Sequence, residues 1–207
     1  MGKWQIVSEL HKPVRKSYKK RHVVIKNLND LIQADSAIMN QFAKENRVYN
    51  YILVIINAFN EYVWAVPVKT KTSKDITAAM KSVLEQMSTP PKNLQTDMGK
   101  EFYNKDFQNL MQKYDINHYS TISNLKASIC ERVIKTLKSS LWKQFSYQGS
   151  YKWINILPEI VNKYNTKHST TKSIPSKINE RNAKFINSFQ HLKNVDPKKP
   201  KFRKGDQ

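Results

Sequence analysis

Apolar positions along the chain form short runs divided by polar turns, and their period changes from strand-like to helix-like after residue 70. Leu31-Ile-Gln-Ala-Asp35 predicts a short strand that ends at its acid. Tyr51-Ile-Leu-Val-Ile-Ile56 is an unbroken aliphatic and β-branched run, as expected of a strand covered on both faces. Asn57-Ala-Phe-Asn-Glu61 has turn composition, and Tyr62 to Val68 returns as a third strand. Pro67 confines that strand to an edge or marks its end. Thr72-Ser-Lys-Asp75 then opens a helix with Ile76, Ala79, Met80, Val83, Leu84 and Met87 on one side, stopped by Thr89-Pro-Pro91. Asn93 to Thr96 predicts a strand, Asp97-Met-Gly99 a turn, and Phe107, Leu110, Met111 and Tyr114 another helix. Ile116 to Ser120 is a last short strand, with two helices expected near 125–146 and 151–165. Three strands, helix, strand, helix, strand, helices is the order of an α/β domain with a mixed sheet, and no internal repeat is present.

Composition narrows the class. The 207 residues suffice for one domain with flanking arms, and 39% hydrophobic content excludes a disordered polycation. No apolar run approaches the roughly 18 residues of a membrane span, so no membrane partner is expected. The N-terminus lacks a signal-peptide pattern, and the lone Cys130 fits a reducing, intracellular compartment, with the nucleus expected in a eukaryote. Charge is the dominant feature: 36 Lys and Arg against 16 Asp and Glu, a net +20, attract polyanions and above all nucleic acid. Residues 1–27 carry eight basic side chains against Glu9 alone, and read as an extended arm along phosphates or a solvated tail. Lys193 to Lys204 holds six basic residues and one acid, a linker that helps hold DNA or a plain tail.

Scarce acids make well-placed ones informative. Asp35 follows the first strand and Asp97 a later one, while Glu131 lies in the helical stretch Asn124 to Lys138, with 61 and 33 residues between successive members. Phosphodiester cleavage and transfer need two divalent cations roughly 4 Å apart, and hard cations such as magnesium take oxygen ligands from separate elements. Each acid has a blander reading beside this one: a turn former for Asp97, an ordinary pair with Lys135 for Glu131. On a helix Glu131, Lys135 and Lys138 fall within about 60° of one another, whereas Ile129, Val133, Leu137 and Leu141 form an inward stripe. Trp142, Trp153 and Tyr164 are candidates to stack on bases or to fill the core. His118 reads as a structural strand-end residue or a neighbour of the acidic centre. No histidine has a Cys or His partner at zinc spacing.

Ile32-Gln-Ala-Asp35, Leu94-Gln-Thr-Asp-Met-Gly-Lys-Glu-Phe102 and Ala127-Ser-Ile-Cys-Glu-Arg-Val-Ile-Lys-Thr-Leu-Lys138 resemble the three motifs of the retroviral-type integrase core of the DDE superfamily. The resemblance is nearest to integrases of Polinton (Maverick) DNA transposons. It implies a ribonuclease H-like fold with a five-stranded mixed sheet flanked by helices. It also implies Asp35, Asp97 and Glu131 as catalytic, metal-holding residues for two magnesium or manganese ions. Lys135 and Lys138, with Lys126 and Arg132 beside them, are the expected DNA contacts. The implied activity is 3′-end processing and strand transfer on DNA by a homo-oligomer, with a core over residues 28–185 between basic segments 1–27 and 186–207. By the same resemblance an upstream zinc domain and a small C-terminal β-barrel or chromodomain are expected outside this sequence. Ile32, Ile38, Asn57 and Val133-Ile134 depart from the usual pattern, which keeps a domesticated, silent DNA-binding domain as the alternative, with a ribonuclease H-type nuclease behind it.

Overall fold

A computed structural model describes residues 25–120, 128–167 and 173–183. Strands β1 (Ile32–Ile38), β2 (Tyr51–Asn57) and β3 (Val63–Val68) form an antiparallel meander. Helix α1 (Ser73–Leu84), strand β4 (Asn93–Thr96), helix α2 (Lys105–Lys113) and strand β5 (Asn117–Ser120) follow, and helices α3 (Ser128–Gln148) and α4 (Leu157–Thr166) come last. The sheet order is β3-β2-β1-β4-β5, with β4 and β5 parallel to β1. This is the expected five-stranded mixed sheet.

Strand alternation divides the core into two halves. From β2, Leu53 and Ile55 point to one side, where α1 and α2 pack through Ile76, Met80, Val83, Phe107 and Met111. Ile52, Val54 and Ile56 point to the other, against Val133, Leu137, Leu141, Trp153 and Ile160 of the α3/α4 layer. The continuous apolar run of β2 is thus explained by helices on both faces. Pro67 lies on β3, an edge strand, as its missing N–H requires. Both early helices use the cap their sequences offer: Thr72 accepts from the Asp75 N–H and Asn104 from the Phe107 N–H.

Several boundaries differ from expectation. Strand β1 does not stop at Asp35, because Ser36 to Ile38 continue to pair with Leu53 to Tyr51, so the acid sits mid-strand. Helix α1 ends at Leu84, well before the prolines. Residues 151–156 are not helical: Asn46, buried on the far side, accepts the Trp153 and Ile154 N–H groups and donates to the Tyr151 and Phe42 carbonyls, fixing an irregular turn. Asn46 ends a 3-10 helix over Asn40–Asn46 that the apolar pattern did not reveal. Ile25, within the basic segment 1–27, packs with Phe59, Ile178 and Ala183. Residues 1–24 and 184–207, which hold most of both basic segments, lie outside the described residues. Among those described, no helix is long and apolar enough to cross a membrane.

The chain leaves the 3-10 helix through two left-handed residues, Arg47 (φ 53°) and Val48 (φ 64°). A β-branched side chain is strained there, and Val48 is solvent-exposed, so it gains little packing in return. Val48→Gly is expected to stabilise the fold by about 1 kcal/mol, read as a higher urea midpoint at unchanged slope.

Candidate functional site

The acidic centre is assembled by sheet register. Ile32 lies beside Leu94 and Gln33 beside Gln95 in the parallel β1–β4 pair, and Asp35 and Asp97 each follow two residues later, near enough for the Asp97 charge to act on Asp35. Residues 62 apart in sequence are thereby neighbours in adjacent strands. Glu131 arrives from another direction, in the first turn of α3, where the helix dipole favours an acid.

One buried amide joins these parts. Gln33, 3% exposed, donates to the Gln95 side-chain oxygen (2.9 Å) across the β1–β4 junction. Its own oxygen accepts the backbone N–H groups of Ile129 (3.2 Å) and Cys130 (3.1 Å). Those are first-turn donors that no carbonyl of their own helix can satisfy. Gln33 therefore caps α3 from the sheet and sets the start of the helix carrying Glu131 over the strand carrying Asp35. Cys130 completes the seat, its thiol reaching the Val54 carbonyl (3.4 Å) inside the core, and burial pushes its ionisation well up. It is a packing residue.

Asp35 and Asp97 each keep one oxygen on the backbone: Asp35 Oδ1 accepts from Ser36 N–H (2.7 Å) and Asp97 Oδ1 from Gly99 N–H (3.1 Å). A Cβ on Gly99 would lie 2.5 Å from Glu101 Oε2 and 3.0 Å from Asp97 Oδ1, so glycine leaves room for two carboxylates to lean on one turn. Lys71 bonds Glu101 (3.0 Å), sits over the Tyr51 ring and lends positive charge to Asp35. Burial raises the Asp35 carboxyl above the ordinary value, and the charges of Asp97 and Glu131 push in the same direction, against the Ser36 N–H and Lys71.

In kind, this donor set fits a hard divalent cation: carboxylate oxygens on separate elements, mutually repelling, with an ammonium group drawn to their edge. In spacing, no three His, Cys, Asp or Glu side chains among the described residues are close enough together to hold a metal ion.

His118 is structural. Gln108 donates to its Nδ1, so Nε2–H donates to the Thr96 hydroxyl, which in turn donates to the Asp97 carbonyl. Burial lowers its pKa to about 4, leaving it neutral at physiological pH as a strut beneath the Asp97 turn. Lys135 is exposed and Lys138 half-buried on the Glu131 side of α3. Arg132 does not share that face. It lines a cavity of about 580 Å³ between α3 and α4, with Thr136, Lys143, Lys163 and Tyr164. There burial and Glu61 raise the Tyr164 phenol to about 12, against the pull of Arg132. Lys126 lies outside the described residues.

Residues 27–124 match the integrase core domain family. Among solved structures, the simian T-cell lymphotropic virus intasome superposes with TM-score 0.62 at 20% identity, over 73% of this chain and 54% of that one. The HTLV-2 integrase catalytic core domain, solved in complex with magnesium, gives 0.61 at 19% identity over 73% and 97%. The fold is that of an integrase catalytic core. An uncharacterized transposon-derived protein of Caenorhabditis elegans is 28% identical over 169 residues, 81% of this chain. The Pol polyprotein of Radiation murine leukemia virus is 27% identical over 112 residues, 53% of this chain. The chain spans 57% of the first relative's length and 19% of the second's.

Reasoning from spacing singled out the acids and overlooked Gln33, Gln95, Lys71 and Glu101. A signal for the glutamines was present: each stands two residues before its aspartate. Lys71 and Glu101 carried no such mark among so many charges.

Two outcomes are expected. Gln33→Leu leaves the Ile129 and Cys130 N–H groups unpaired, costing about 2–4 kcal/mol in urea unfolding, with faster amide exchange at those two residues. Asp35, its folded pKa raised, contributes stability below the ordinary carboxylate value that is lost as pH rises through the raised value. Without divalent ions, Asp35→Asn should therefore melt higher than the wild type at pH 7, and the gap should close at acid pH.

Proposed function

We propose that the chain is the catalytic core of a DDE polynucleotidyl transferase that trims DNA 3′ ends and joins them to target DNA. The observation supporting this reading is that the parallel β1–β4 pair and the Gln33-capped start of α3 bring the charges of Asp97 and Glu131 to bear on Asp35. Asp35, Asp97 and Glu131 would hold magnesium or manganese, which when bound activates the attacking oxygen and stabilises the leaving one. The protein's own contribution is positional. Backbone N–H groups orient one oxygen of each aspartate, the buried glutamines keep strand and helix in register, and Lys71 offsets the crowding of negative charge. Lys135 and Lys138 line the approach beside Glu131 and suit the phosphates of the element's end, with Arg132 and Lys126 as further candidate contacts. The three sequence motifs favour the self-synthesising transposon branch of the family. The core over 28–185, with basic flanks and assembly as a homo-oligomer, belongs to the same proposal.

A second reading, a silent DNA-binding domain, draws support from the lack of a ready-made metal cage among the described residues. One assay separates the two. With a duplex carrying the element's end and magnesium or manganese, Asp97→Asn should lower nicking and strand transfer by at least about 100-fold while keeping the folded circular-dichroism spectrum. Equal activity in both proteins, or none in either alongside duplex binding that weakens steeply with salt, would favour the silent domain.

A further inference from the structure

Trp142, Trp153 and Tyr164, the aromatics that could stack on bases or fill the core, have different fates. Trp153 is fully buried, Tyr164 lines the α3/α4 cavity, and Trp142 stays 40% exposed. Positions 131, 135, 138 and 142 follow the spacing of a single helical face, within about 60°. Trp142 thus continues the Glu131, Lys135 and Lys138 stripe, about 16 Å along the axis from the acid. Its ring is held from behind. Phe42 meets it edge-on (5.6 Å, 79°) and Phe145 at a tilt (5.4 Å, 39°), while Phe42 stacks on Tyr151 (4.8 Å, 19°), itself exposed.

We propose that Trp142 is a stacking platform for an unpaired base of bound DNA, at the far end of a track that begins at Glu131. The inference rests on the DNA reading above and extends it to one base-binding subsite. Charge complementarity selects the occupant. The nearest residues on this face are Lys138 and Lys135, which a protein partner would have to bury without pairing, and lysine is depleted in such interfaces. Phosphates pair with those ammonium groups while the indole takes the base, the alternation used by single-strand binding surfaces. A base inside a duplex hides both faces against its neighbours, so only an overhanging or frayed nucleotide can reach the ring. At 3.4 Å per stacked step, the span from Glu131 corresponds to about five nucleotides.

The test uses the full chain without divalent ions, so that no chemistry occurs. Duplexes carry a single-stranded overhang of about eight nucleotides with 2-aminopurine at successive positions, and a blunt duplex serves as control. Quenching confined to one or two overhang positions is expected, lost in Trp142→Ala and kept in Trp142→Phe. Overhang affinity should fall about tenfold in Trp142→Ala, with blunt-duplex affinity unchanged. Trp142→Leu, which still packs on Phe42 but has no π face, should behave like the alanine variant and guards against simple misfolding. If Trp142→Leu and wild type bind and quench alike while Lys135→Glu weakens both duplexes, the platform is wrong and the DNA reading stands. If the wild type binds neither duplex, both fall together.

Discussion

The side chain of Gln33 is the interaction on which the acidic centre depends. Its amide hydrogens reach across to Gln95 and its oxygen takes two N–H groups at the head of α3. A buried amide must satisfy both ends, and here satisfying them fixes two strands and one helix against one another. Asp35, Asp97 and Glu131 sit within a few residues of those anchors, so their relative placement follows from hydrogen bonds that involve none of them. The strut from Gln108 through His118 and Thr96 supports the Asp97 turn in the same manner.

Electrostatics act against this arrangement. Asp35 bears the effect, its proton held more tightly through burial and through the charges of Asp97 and Glu131. Lys71 is the counterweight, fixed by Glu101 and the Tyr51 ring. Concentrated like charge is unfavourable for folding and useful for gripping a cation, a conflict common at functional sites. The fold tolerates it because two apolar layers on either side of the sheet supply the cohesion.

Basic charge elsewhere is arranged rather than diffuse. On α3 one polar stripe carries Glu131, Lys135, Lys138 and Trp142, while Arg132, Thr136 and Lys143 face α4 around a cavity. The two stripes differ by about a quarter turn of a helix, since adjacent residues are rotated by 100°. Arg132 and Glu131, neighbours in sequence, therefore serve different surfaces. The net charge of +20 attracts polyanions in general.

Period and turn chemistry determined much by themselves. The apolar run of β2, the Thr72 cap, the proline on β3 and the alternation of strands with helices are local properties, legible because each residue's preference agrees with its neighbours'. The two aspartates stood out too, Asp35 after an apolar run and Asp97 before a glycine turn. Other features required the tertiary structure. The 3-10 helix at Asn40–Asn46 and the turn at 151–156 depend on Asn46 bonding residues more than a hundred positions away. Strand β1 runs past Asp35 because β2 offers partners that far. Burial alone distinguishes Trp153 from Trp142, and sheet register alone pairs Gln33 with Gln95. Local propensity acts over a few residues, whereas these outcomes follow from which distant groups meet and which polar atoms burial leaves to be satisfied.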